Sequence, residues 1–201
     1  IIRCENGRFM ILDSYARRNL ELTETLRDKN KRGSLLWVVD KTKTAMGARM
    51  LRSFVEQPLL DPLMIEKRLD AVQKMKETHI DREELREYLS CIYDLERLAS
   101  RISYRNASPK DLTAFLYSIR MLAPIKKMST SFDAELLREA FERIDTLDDL
   151  VELISRSIVD EPPMQIKEGG IIREGYNPEV DDLRSIKTDG KIGRASCRER
   201  V

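Results

Sequence analysis

A chain of 201 residues, 41% of them hydrophobic, carries enough apolar side chain for one sizeable core or two small ones. Its 36 basic and 35 acidic residues leave a net charge of +1, which excludes whole-molecule attraction to nucleic acid or an anionic membrane and makes any such contact local. No apolar run approaches the roughly 20 residues that span a bilayer, no secretion signal leads the chain, and Cys4, Cys91 and Cys197 are too far apart for a disulfide framework or a zinc site, so the composition points to a reduced, cytoplasmic protein.

The chain opens on Ile1 rather than methionine and reads as a piece of something longer. Residues 1–33 form a lead-in segment in which apolar alternation at Phe9 and Ile11 predicts a short strand remnant through Met10 to Leu12. Arg17-Arg18 could meet phosphate, an acidic partner domain or plain solvent, and Asp28 to Gly33 is a charged turn.

A helical core is expected from 34 to 160. Leu35, Leu36, Val38 and Val39 surround Trp37, the only tryptophan, and predict a short buried helix that serves as a packing centre with Met50 and Phe54. After Asp40, the hydroxyls of Thr42 and Thr44 suit the start of a second helix, in which Met46, Met50, Leu51, Phe54 and Val55 recur at helical spacing until Pro58 ends it. Gly47 lies inside that helix at a cost of about 1 kcal/mol against Ala, which fits a second backbone passing close by or a merely tolerated glycine. With Arg49, the residues Trp37, Asp40, Thr42, Thr44 and Gly47 make up the candidate structural set.

From Asp61 the helical period continues. Asp61-Pro62 opens a helix with Ile65, Leu69 and Val72 on one face, and Asp81 announces the next, with Leu85, Leu89 and Ile92 inward. Leu95, Leu98 and Ile102 follow Asp94, as a separate helix or as a bend in the same one. Ser108-Pro109 with Asp111 starts another helix, carrying Leu112, Phe115, Leu116 and Ile119 inward, which Pro124 must kink or end. Asp133 is expected to cap the helix of Leu136, Leu137, Phe141 and Ile144, and Leu147, Leu150, Val151, Ile154 and Ile158 make one more before Pro162-Pro163. Residues 161–190 hold a small hairpin or loop near 165–176, then a helix opened by Asn177-Pro178. Residues 191–201 lack any helical stripe and read as a non-native tail, the alternative being a native basic one. The fold class is mainly α, a helical bundle.

Catalytic chemistry has little to build on. No Gly-x-x-x-x-Gly-Lys-Ser/Thr cradle for phosphates occurs, and the single histidine, His79, sits in a charged turn where a solvated role is the better reading. Acidic neighbours such as Glu83-Glu84 and Asp148-Asp149 do not share a helix face, so no catalytic, cofactor-binding or metal-ligating residue is assigned. Arg97, Arg101 and Arg105 recur at a spacing of four and could track phosphates, although Asp94, Glu96 and Asp111 offer them ion pairs within the fold.

Several stretches together carry a resemblance. Asp40-Lys-Thr-Lys-Thr-Ala-Met-Gly-Ala-Arg-Met-Leu-Arg with Phe54-Val-Glu-Gln-Pro-Leu, Leu12-Asp-Ser-Tyr-Ala-Arg-Arg-Asn-Leu-Glu-Leu, Asp94-Leu-Glu-Arg-Leu, Ser108-Pro-Lys-Asp-Leu, Ile158-Val-Asp-Glu-Pro-Pro and Gly169-Gly-Ile-Ile-Arg-Glu-Gly-Tyr-Asn occur in the order found in the core, or lever, region of the MutS family of mismatch-repair proteins. The resemblance implies a piece of a dimeric, DNA-dependent ATPase in which this region joins the ATP-binding part to the clamp and connector that hold mismatched double-stranded DNA. ATP and Mg belong to that parent and none is expected in this piece, which should have no activity of its own. A paralogous branch acting on branched or recombining DNA shares the same core, and a free-standing helical adaptor would show similar periodicity.

Overall fold

A computed structural model describes residues 8–186; Cys4, Cys197 and the tail from Lys191 lie outside the described residues. The fold is helical. No strand forms among the described residues, and where one was expected through Met10 to Leu12 a single antiparallel bridge joins Phe9 to Leu59. Met10 N–H donates to the Pro58 carbonyl at 2.8 Å and Leu60 N–H to the Arg8 carbonyl at 3.0 Å. Pro58 has no N–H to return, so the ladder stops there.

The first helix, α1 (Ser14–Asn19), is absent from the sequence reading. Its signal was Asp13, whose carboxylate accepts the Ala16 N–H at 2.6 Å and satisfies one of the free donors of the first turn. The helix closes with Glu21 in the left-handed region, φ 48°, so that the Glu21 and Leu22 N–H groups reach back to Arg18 and Arg17.

The chain then forms α2 (Leu35–Val39), α3 (Ala45–Glu56), α4 (Pro62–Glu77), α5 (His79–Ser90), α6 (Leu95–Ser103), α7 (Pro109–Arg120), α8 (Leu122–Lys127), α9 (Glu135–Glu142), α10 (Asp148–Ser157) and a last helix, α11, over 178–186. His79 is therefore the first residue of α5 rather than a turn residue, and α5 and α6 are two helices rather than one bent helix. Pro124 sits in the first turn of α8, where its missing N–H costs nothing. Asp133 does not cap α9; that place falls to Ala134, which offers no side-chain hydrogen bond. No described helix is long and apolar enough to cross a membrane.

The described chain falls into two compact units, one made of the residues up to Ala99 with Tyr117–Thr146, the other of Ser100–Leu116 with the residues from Leu147 onward. In the first, α4, α5, α8 and α9 pack around Leu85, Ile125, Met128, Phe132 and Phe141, with Met75, Tyr88, Leu89 and Leu137 partly buried against them. Phe132 is 0% exposed, and its ring stacks on Phe141 with centroids 5.7 Å apart. In the second, Leu116 of α7 meets Ile154 and Ile158, flanked by Leu112, Phe115 and Val151. There the segment 165–176 is a loop, not a hairpin: Ile172 bridges to Ile158, and the Arg173 N–H donates to the Ser157 carbonyl at 2.8 Å. Asn177 opens α11 as expected, its side-chain oxygen accepting the Glu179 N–H at 2.9 Å.

Two apolar stripes lie elsewhere than the periodicity suggests. On α4, Leu69 and Val72 are exposed and Ile65 borders on it, while Ala71 is buried and Met75 half-buried. On α2 only Leu36 is buried; Trp37 is 47% exposed, and Leu35, Val38 and Val39 are open as well. The cause is local. Leu35 and Leu36 N–H groups donate to the Glu21 and Leu22 carbonyls at 3.0 and 2.9 Å, which pins α2 along the Leu36 line, and a five-residue helix cannot turn its other side chains to the same side.

Phe132→Ala should therefore lower unfolding stability by about 3–5 kcal/mol, and Trp37→Ala by well under half of that. Thermal melts of the two variants followed by circular dichroism make the comparison, and equal losses would place Trp37 in the core.

Candidate functional site

The run from Ser34 to Arg49 carries three groups of polar contacts, around α2, at the start of α3 and from α3 to Asp94. Ser34, fully buried, accepts the Trp37 N–H at 3.2 Å and donates its hydroxyl to the Lys31 carbonyl at 2.7 Å, so it caps α2 while closing the preceding turn. Asp40 ends α2. Its carboxylate takes Lys31 Nζ at 2.6 Å on one oxygen, and the Thr42 hydroxyl and N–H at 2.6 and 3.2 Å on the other. This Asx-type turn aims the chain at Thr44, whose hydroxyl accepts the Gly47 N–H at 3.0 Å and caps α3.

Gly47 answers to that cap. A Cβ built on it would meet Thr44 Oγ1 at 2.9 Å, with the Thr42 side chain next nearest at 3.6 Å, so the close neighbour is the capping side chain and not a second backbone. One helical turn on from the cap, Arg49 presents both arms of its guanidinium to Asp94, each at 2.8 Å, and also bonds Glu96. The planar fork matches a carboxylate in a way that Lys could not. Sequence reading put Arg49 in the set without its partners; nothing local joins residues 45 positions apart. Lys31 was likewise missed as the partner of Asp40.

The three arginines do not form one stripe. Arg97 is exposed and lies 3.4 Å from Asp94, and Arg101 holds Asp111 at 2.7 Å. Arg105 lies beyond the end of α6 with φ 56°, where its N–H and that of Asn106 close the helix onto Ile102 and Arg101. Burial works to raise the Asp111 carboxyl, but the Ser108 N–H and hydroxyl together with Arg101 outweigh it and hold it below the usual range. An open groove of about 400 Å³ between α4 and α9 carries Asp70, Glu77, Asp133 and Glu135. There Glu135 pairs with Lys67 at 2.8 Å, and among the described residues no cluster of His, Cys or carboxylate groups has the arrangement of a metal site.

Capping hydroxyls, an Asx turn and forked ion pairs between helices are the equipment of a helical structural domain, whose residues hold elements in register. Comparison with known proteins gives the family: the description MutS domain III matches residues 15–199, and the chain belongs to that family. The chain is 60% identical over 186 residues to the DNA mismatch repair protein MutS of Lachnoclostridium phytofermentans, a match covering 92% of this chain and 20% of that protein. It is 51% identical over 182 residues to the MutS of Alkaliphilus oremlandii (90% of this chain, 21% of the relative) and 48% over 194 residues to that of Acetivibrio thermocellus (96% and 22%). The chain thus spans about a fifth of the length of the curated relatives it matches.

These contacts have two measurable signatures. Thr44→Ala removes the cap of α3 and should cost about 0.5–2 kcal/mol in denaturant unfolding. The second lies in acid. The Lys31 ammonium, helped by the Thr42 hydroxyl, holds the Asp40 carboxyl at about 2 against an ordinary 3.8, and the Arg49 fork holds Asp94 at about 2 as well. Both groups bind protons less readily folded than unfolded, so their contribution is fully present above the unfolded value and is lost as pH falls through the folded one. Stability should hold level down to about pH 5 and drop between about pH 4 and pH 2, with a shallower drop in the Asp40→Asn, Asp94→Asn double variant.

Proposed function

We propose that this chain is the core, or lever, region of a MutS-type mismatch-repair protein and that its part there is mechanical. In this reading it couples an ATP-binding part to the clamp and connector that hold mismatched double-stranded DNA, and it performs no chemistry itself. ATP and Mg act in the whole protein, a homodimer in the cytoplasm. The observation that carries the reading is the family match over residues 15–199, together with relatives that bear the mismatch-repair name. That name also favours the repair branch over a paralogous one acting on branched or recombining DNA, and over a free-standing adaptor.

The geometry supports a mechanical role. A lever must pass displacement without absorbing it, which requires that its helices move together. The Arg49 fork ties α3 to the start of α6, and Asp40, Thr42 and Thr44 set the angle at which α2 hands over to α3. An isolated surface ion pair contributes little, but a two-armed pair shared among three charged groups fixes an orientation.

The test exchanges this chain for the matching fifth of the Lachnoclostridium phytofermentans protein and measures ATP hydrolysis with matched and mismatched duplexes. Arg49→Ala should reduce the mismatch-dependent change by at least about fivefold while leaving DNA-free hydrolysis unaltered. An unchanged mismatch response would sink the coupling role.

A further inference from the structure

The apolar side of α2 stands open within a basic stretch of the chain. Leu35, Trp37, Val38 and Val39 are all exposed, Val38 by 57%, on a helix of five residues, with Leu35, Val38 and Val39 at the i, i+3, i+4 spacing of one face. Between Arg27 and Arg52 the chain carries eight basic residues and only two acidic ones, Asp28 and Asp40, although the whole molecule has a net charge of +1. Lys31, Arg49 and Arg52 are paired with carboxylates of their own unit. Arg27, Lys29, Arg32, Lys41 and Lys43 are exposed and have no ion pair among the described residues.

We infer that the α2 face is a docking surface for an acidic amphipathic helix of the same mismatch-repair polypeptide, lying in the part beyond this chain. The inference rests on the family-level reading above. Clustered large apolar groups rimmed by charge mark a contact surface, and covering them removes apolar area from water at a gain proportional to that area. Unpaired cations before and after the patch in the chain favour carboxylates on the partner. The relatives, of which the match covers about a fifth, have ample further sequence to supply such a helix. A second copy of this chain fits poorly, because it would bring one basic rim against another. Duplex DNA would satisfy the cations, but its phosphates offer nothing to Leu35, Val38 and Val39.

Two measurements test the surface. The chain alone and the chain exchanged into the Lachnoclostridium phytofermentans protein are compared by hydroxyl-radical footprinting at Trp37 and by acylation of Lys41 and Lys43. Both sites should be protected several-fold in the exchanged protein, and Val38→Asp should restore labelling there while leaving the melt of the chain alone unaltered. Equal labelling in both settings overturns the proposal. So does protection that appears in the chain alone with rising concentration, or only on adding a duplex.

In the second measurement, emission from the single tryptophan of the chain alone is followed while two designed helical peptides are titrated in. They share a leucine face and differ only in glutamate or lysine flanks. The glutamate peptide should shift the emission to the blue and bind at least about tenfold tighter, about 1.4 kcal/mol. Equal binding, or a preference for the lysine peptide, overturns the acidic partner. Neither readout involves ATP hydrolysis, so loss of mismatch coupling and loss of this contact are separate results.

Discussion

The stack of Phe132 on Phe141 is the contact on which the first unit depends. Phe132 lies in the turn between α8 and α9, with no helical period of its own, and still among the described residues it is the one large aromatic with no exposure. Around it gather Leu85 from α5, Ile125 from α8 and Met128 from the turn that follows α8, so a single ring organises elements far apart in sequence. Packed interiors are dense, and a side chain in such a position leaves its neighbours few alternative arrangements.

Away from that core, order is carried by polar geometry rather than burial. The segment from Ser34 to Arg49 buries only Ser34 and Leu36, so its shape depends on groups that accept or donate in fixed directions. Ser34 and Thr44 start helices, Asp40 turns the chain between them, and Arg49 secures α3 at a distance. Such a segment keeps a defined orientation while leaving its apolar side open. The open stripe of α4 has the same character.

Residue by residue, the polar part of this segment was the more legible. Thr44 as cap, Pro58 beyond the end of α3, Asp61-Pro62 opening α4 and Asn177 opening α11 all follow from hydrogen bonds made within a few residues, and a local rule suffices for them. Trp37 misled because periodicity reports that a helix has an apolar side, not that anything covers it. At Gly47 the cost within a helix was clear while its cause stood open between a passing backbone and a tolerated glycine, and the neighbour found there is the Thr44 side chain three residues back. Arg105 kept the spacing of a stripe and lost it to the turn that closes α6.

By itself the sequence determined that the protein is helical, where most of its helices begin and end, and, through the order of its short motifs, the family to which it belongs. These properties arise from interactions between near neighbours, or from residue patterns that need no coordinates. Only the tertiary structure decided that Phe132 is the centre of the first core, that Arg49 meets Asp94 and Glu96, and that Trp37 faces outward. Burial and long-range pairing depend on which surfaces the folded chain brings together, and residues 45 apart carry no mark of their meeting until the helices between them are packed.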